Sequence, residues 1–386
     1  MKVIQVLPSI VSEASGTASA VPSLCCALSR NGVDVRLHVM GDVLPWHSPC
    51  ETVCHPRKTL WNIRGIEWSS PMLRALRHEC KTAEVIHSNG LWMMPNVYPY
   101  WASSGTGCKL VIQPHGTLSP WALGNSKWKK RLFGWAMQYA AMRHADMWVA
   151  TAEEEYDDIR RLGYRQPVCI LPNGIDLPEA DKVRSLKTTM PPRRRMYFLS
   201  RIHPKKNVDL LLRVWSRLEQ KFPEWDLSIV GPDKGNPYAE EMKKLAKKLG
   251  CARVTFEGEI NGEDKLRFVA QSECIVLPTH SENFGMVIAE ALACGTAAIC
   301  SHGAPWEGLN RERCGWWVPT TEDAFEQAMS EAMTKSREEL KEMGERGRDW
   351  MCRDFSWDGI GVKMKAAYEW LCHGGQCPEW VRVGDC

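Results

Sequence analysis

The sequence predicts an α/β protein of two domains, each built on a parallel sheet. Three observations carry that expectation. At 386 residues the chain is about twice the size of one ordinary domain. Short β-rich apolar runs alternate with amphipathic helical stretches, the signature of βαβ units. Several of those runs end in Gly or polar residues, where an open α/β sheet keeps its ligand crevice.

In the first half, Val3–Leu7 reads as a buried strand, followed by a Ser15-Gly16-Thr17 loop, a helix from about Ala18 to Arg30, and Gly32 before a strand from Val33 to Val39. Further strands are expected at 85–87, 109–113 and 148–150. A second series begins later, with strands at 196–200, 226–230, 254–257, 274–277 and 297–300 and helices at about 208–221, 238–249, 262–271 and 285–294. Pro172-Asn173-Gly174 and the Pro/Lys/Arg-rich stretch 178–195 mark the join. The expected domains are therefore residues 1–172, completed by a C-terminal helix within 358–386, and residues 173–357.

Composition narrows the function classes. With 44% hydrophobic and 25% charged residues, collagenous and disordered classes are excluded. Residues 1–145 carry 15 Lys and Arg against 7 Asp and Glu, so the first domain is basic inside a chain of net charge +3. That suits an anionic partner, although scattered lysines also serve as a solvated face. Sixteen cysteines spread through apolar stretches of a long chain indicate a reducing compartment. The N-terminal segment lacks the apolar core of a signal peptide and no run of 18 apolar residues occurs, so a cytoplasmic location is expected.

Chemistry concentrates in two places of the second half. Glu282-Asn283-Phe284-Gly285 follows a buried strand and opens a helix carrying Met286, Val287 and Glu290. The unpaired N–H groups of such a helix start favour a phosphate, Gly285 allows close backbone approach, and Glu290 could accept from a ribose. A plain turn followed by a surface glutamate is the alternative. Arg201 and Lys206 lie between another strand and its helix, one a fork and the other a point charge for a diphosphate. In the first half, His115 ends a strand within Gln113–Thr117, and His87-Ser88-Asn89-Gly90-Leu91-Trp92 ends another and could contribute to an acceptor site.

With these segments in their observed order, the chain resembles the retaining glycosyltransferases of family 4. The matching motifs are Ser15-Gly16-Thr17, His115-Gly116, Pro172-Asn173-Gly174-Ile175-Asp176, Arg201 with Lys206, and the E-x7-E pair Glu282 and Glu290. Stretches 115–123 and 305–319 look most like bacterial members that build capsule, exopolysaccharide or O-antigen chains. The resemblance implies a GT-B fold, two Rossmann-like domains facing each other across a cleft, and a nucleotide-sugar donor, UDP- or GDP-linked, needing no metal or other cofactor. Arg201 and Lys206 would neutralise the leaving diphosphate with Gly16, Thr17 and the Gly285 helix start. Glu290 would hold the ribose, Glu282 with Asn283, Phe284, Met286 and Val287 the donor, and His115 would contact the sugar near its reacting carbon. His87, Asn89 and Trp92 would lie on the acceptor side. The sequence departs from the family in having Ser15-Gly16 in place of Gly-Gly and Asn89 in place of a second histidine.

The acceptor implied is a glycan, lipid-linked in the polymer-building relatives, and no nucleic acid is expected. Residues 127–145 place Trp128, Leu132 and Trp135 at helical spacing beside a cationic cluster, which reads either as a surface for an anionic membrane or as the core face of a domain helix. The first reading would make the enzyme peripheral on the inner face of the cytoplasmic membrane. His47, Cys50, Cys54 and His55, like Cys372, His373 and Cys377, match no usual zinc spacing. A nucleotide-sugar 2-epimerase of the same fold and a catalytically idle glycan-binding subunit are the competing readings. An oxidoreductase is weaker, since G-x-G-x-x-G follows neither first strand.

Overall fold

The chain divides into two units, Met1–Gly174 with Trp357–Cys386, and Ile175–Ser356. A computed structural model describes residues 1–10, 16–41, 50–59, 67–124 and 127–384.

The first unit is organised on strands β1 (Lys2–Leu7), β2 (Asp34–Met40) and β3 (Glu51–His55), a short antiparallel pair β4 (Lys58–Thr59) and β5 (Glu67–Trp68), then β6 (Val85–Asn89), β7 (Lys109–Gln113), β8 (Met147–Ala150) and β9 (Val168–Ile170). The main sheet runs β3-β2-β1-β6-β7-β8-β9, all parallel, and the two-residue strand Val381–Arg382 closes its far edge antiparallel to β9. Parallel strands covered on both faces must be apolar on both, and β1 shows it: Val3 and Ile4 are both fully buried, yet they belong to opposite cores. Val3 packs with the helices Gly16–Arg30 and Trp357–His373; Ile4 packs with those at Ser70–Glu79 and Tyr98–Ser103.

The second unit has β10 (Arg194–Leu199), β11 (Trp225–Val230), β12 (Val254–Gly258), β13 (Cys274–Leu277), β14 (Ala297–Ser301) and β15 (Gly315–Val318), in the order β12-β11-β10-β13-β14-β15 and all parallel. This doubly wound order reverses direction between β10 and β13, so the loops leaving those two strands open the crevice in which such sheets bind ligands.

Three local expectations need correction. Gly16 and Thr17 are not loop but the first residues of the helix Gly16–Arg30, while Ser15 lies outside the described residues. The helix expected across 127–145 is interrupted: Lys127–Phe133 and Tyr139–Arg143 are α-helical, and Gly134–Gln138 between them is a π-helical turn. The Trp128, Leu132 and Trp135 stripe is not a core face, because these side chains are 68%, 59% and 80% exposed.

Candidate active site

In the second unit, the loop after β10 turns through Pro204–Lys206 and ends at Asn207 in the left-handed region, with φ of 59°. The loop after β13 is stitched to it. The carbonyl of Lys205 accepts the His280 N–H at 2.9 Å and the Thr279 hydroxyl at 3.2 Å. Held this way, the Lys206 ammonium forms an ion pair with the Glu282 carboxylate, both side chains almost out of solvent. The Glu282 N–H donates to the Gly303 carbonyl at 2.6 Å, tying in the loop after β14.

Gly285 then caps the helix Met286–Ala293 with φ of 83°. A methyl at Gly285 would sit 3.2 Å from Nε1 of buried Trp306, whose N–H donates to the Phe284 carbonyl at 2.5 Å. The first intrahelical donor is Ile288, bonded to Gly285 at 2.9 Å, so among the described residues the N–H groups of Met286 and Val287 have no partner and are left for a ligand or water. The Phe284 ring faces the core, tilted against Trp306 and Phe355, which leaves only its backbone for the site.

Cations outnumber the single carboxylate here. Burial lowers the affinity of Lys205 for its proton, and Lys206 and Arg201 lower it further, opposed by Glu282. His203 is lowered by burial and by the same three cations, Arg201, Lys206 and Lys205. Arg201, Lys205 and Lys206 against Glu282 leave two positive charges in excess at the mouth of the sheet, beside a helix N-terminus. A diphosphate matches that field.

Glu290 requires a correction. It has no cation on its own helix, but Lys265 from the helix Gly262–Ala270 reaches its carboxylate at 2.7 Å. Glu290 is therefore one half of a partly exposed ion pair, not an unengaged acceptor.

In the first unit, His115 follows β7 with φ of 53° and Gly116 follows at 74°, two consecutive left-handed residues. The turn is pinned by Glu155, a buried carboxylate that accepts the Gly116 N–H at 2.5 Å and the Thr151 N–H and hydroxyl at 2.8 and 3.0 Å. Sequence reasoning passed over Glu155, which lies in a run of three glutamates. The imidazole Nε2 of His115 meets Asn89 Oδ1 at 3.1 Å, and the Asn89 amide donates to Gln5 Oε1 at 2.8 Å. Asn89 can only accept at that oxygen, so Nε2 of His115 carries the proton and Nδ1 keeps its lone pair.

His87 and Asn89 are corrected as acceptor contacts: both are fully buried. The hydroxyl of Tyr368, from the helix Trp357–His373, sits 2.6 Å from His87 Nδ1, and Gln5 donates to that hydroxyl at 3.1 Å. These residues hold His115 from behind. Trp92, with φ of 73°, is half-buried and lines a cavity of about 600 Å³. Among the described residues no cluster of three His, Cys, Asp or Glu could hold a metal; His47 lies outside them.

Burial drives the pKa of His87 down to about 3, helped by the charge of His115, and that of His115 down to about 4. Above pH 6.5 both are neutral folded or unfolded. Between 6.5 and about 4 the unfolded chain takes up protons that the folded unit refuses, so stability falls as pH falls through that window. Glu155, whose carboxyl burial pushes up, works in the opposite direction. Two histidines against one carboxyl predict a net loss: calorimetric melting of the first unit should move down between pH 7 and 5, and a flat profile would contradict the burial of this network.

Two family models match the chain: Glycosyltransferase Family 4 over residues 14–179 and Glycosyl transferases group 1 over residues 186–350. The chain belongs to the family 4 glycosyltransferases. Its fold is correspondingly GT-B, as in sucrose-phosphate synthase from Thermosynechococcus elongatus, with a TM-score of 0.75 at 20% identity over 96% of this chain and 98% of that one. WaaG, a glycosyltransferase involved in lipopolysaccharide biosynthesis, aligns at 0.65 and 16% over 97% and 100%. Among curated relatives of this chain, a GDP-mannose-dependent alpha-(1-6)-phosphatidylinositol monomannoside mannosyltransferase of Mycolicibacterium smegmatis is 31% identical over 43% of the chain and 45% of its own length. A D-inositol 3-phosphate glycosyltransferase of Actinosynnema mirum is 28% identical over 61% and 60%. The chain thus spans about half the length of the curated relatives it matches.

Proposed function

We propose that this glycosyltransferase moves a sugar, with retention of configuration, from a UDP- or GDP-sugar to a hydroxyl of a lipid-linked bacterial surface glycan. The second unit binds the donor and the first bears the acceptor side. The excess of cations at the β10–β13 switch point, beside the unpaired N–H groups of Met286 and Val287, carries this reading. Arg201, Lys205 and Lys206 stabilise the diphosphate as it leaves, the electrostatic work that a divalent ion does elsewhere, so no metal or cofactor is invoked. Glu282 is engaged by Lys206 and is assigned to positioning, not to covalent attack. Retention then follows from attack on the face that the diphosphate leaves, with a leaving phosphate oxygen taking the acceptor proton. Glu290, still partly exposed, holds the ribose in competition with Lys265. His115, neutral at working pH and with a lone pair on Nδ1, accepts from a sugar hydroxyl.

No helix among the described residues is long and apolar enough to cross a membrane. The exposed Trp128, Leu132 and Trp135, with exposed Arg131 alongside, support peripheral attachment to an anionic membrane on its cytoplasmic face.

Thermal shift and calorimetry with UDP, GDP, ADP and their sugar conjugates, with and without EDTA, test the donor site. One nucleotide series should stabilise the protein, by about 2.7 kcal/mol at a hundred times its Kd, and chelator should change nothing. Silence from every nucleotide would sink the proposal.

A further inference from the structure

The cavity of about 600 Å³ beside Trp92 lies in the size range of sites that enclose small organic ligands, roughly 300–1,000 Å³. Its lining is divided in character. Trp92, Leu123, Tyr139 and Leu162 supply aromatic and aliphatic surface, and Arg143 and Arg165 supply charge; no carboxylate of the described residues lines it. Both arginines are exposed, and neither guanidinium has a carboxylate partner among the described residues. In the same unit Arg36, Arg161 and Arg382 are each paired with an acid. Two unneutralised guanidiniums at the rim of an apolar hollow are a match for a phosphate attached to something greasy.

The backbone around the cavity is unusual in the same place. The π-helical turn Gly134–Gln138 inserts a residue into the helix and delivers Tyr139 edge-on to Trp92, with ring centroids 6.4 Å apart. Gly134 permits this, since a methyl there would lie 2.5 Å from the Tyr139 ring. Gln138 is wholly buried; its Oε1 accepts the Trp92 N–H at 3.3 Å, while its Nε2 has no partner among the described residues. The helix leading into the turn carries the exposed Trp128 and Leu132, and the turn itself the exposed Trp135.

We propose that this cavity binds a phosphate-bearing lipid, the phosphate on Arg143 and Arg165 and the start of the chain against Trp92, Tyr139 and Leu162. A free phosphate would leave the apolar wall unused, and a neutral lipid would leave the two arginines unanswered. The proposal goes beyond the donor-based reading and does not depend on it, since its test involves no nucleotide.

The test is titration calorimetry of the full chain with dihexanoyl phosphatidic acid below its micellar concentration, against dihexanoyl phosphatidylcholine and inorganic phosphate. One phosphatidic acid should bind per chain, with phosphatidylcholine and phosphate each weaker by about tenfold or more. The Arg143→Gln/Arg165→Gln variant, altered only at exposed positions, should lose that preference and sediment less with phosphatidylcholine vesicles doped with phosphatidic acid. Should the double variant fail to fold, Leu162→Gln, at a side chain 41% exposed, should weaken the same titration. Equal binding of phosphatidylcholine, equal binding of phosphate alone, or undiminished binding by the variants would each overturn the assignment.

Discussion

Alanine at Lys206 is expected to lower turnover by roughly two to three orders of magnitude, the usual loss when a preorganised charge is removed from a developing anion. It should also destabilise the second unit. Glu282 would be left nearly buried without its ion-pair partner, and breaking such a pair on one side costs about 3 kcal/mol. The two effects can be separated. Lys206→Ala combined with Glu282→Gln removes the stranded charge, so it should recover most of the denaturant midpoint and none of the rate. Nucleotide release assayed alongside urea unfolding would decide it; a double variant that regains turnover would show that Lys206 serves only to neutralise Glu282.

Gly303→Ala should damage donor binding from outside the site. The added methyl would lie 2.4 Å from the Thr279 carbonyl oxygen and within 2.8 Å of the His280 carbonyl, backbone atoms that cannot swing aside. The segment that must yield is the one that presents Glu282, whose N–H is bonded to Gly303 itself. Overpacking of this kind costs about 1–3 kcal/mol, and nucleotide affinity should fall at least about tenfold with it. Gly235→Ala is the control. Nothing lies within 4 Å of that position, but its φ is +71°, so it carries backbone strain alone, about 1 kcal/mol, with affinity intact. Equal affinities in the two variants would show that the clash is absorbed elsewhere.

The sequence made the strands and the cationic loops legible because each is a local pattern. An apolar run followed at once by Arg201 and Lys206, or by Glu282, shows both the strand and what its end displays. What stayed hidden were partnerships across sequence: Glu290 with Lys265, Gly116 with Glu155 and His87 with Tyr368 are 25, 39 and 281 residues apart. The last of these shows why the sequence suggests acceptor contacts at His87 and Asn89. Polar residues at a strand end look solvated until a distant helix covers them. β15 escaped notice because Gly315-Trp316-Trp317-Val318 is too short and too glycine-bounded to read as a strand, and the π-helical turn because Trp128, Leu132 and Trp135 repeat at α-helical spacing. Periodicity identified that stripe but carries no information on which side of it the protein lies.

The helix that covers His87 has a consequence for biosynthesis. Residues 357–384 supply Tyr368 to the network behind His115 and the edge strand beside β9, although they are synthesised only after the whole second unit. The second unit is continuous in sequence and can complete its core during translation, whereas the first must wait, one face of its sheet covered only in part, by the helix Gly16–Arg30. For the duration of synthesis of the intervening 182 residues, Val3, Leu37, Val85 and Val111 have no C-terminal helix over them. A stalled or truncated nascent chain would therefore present a hydrophobic sheet face to the cell, and a chaperone capturing such intermediates would find its site there.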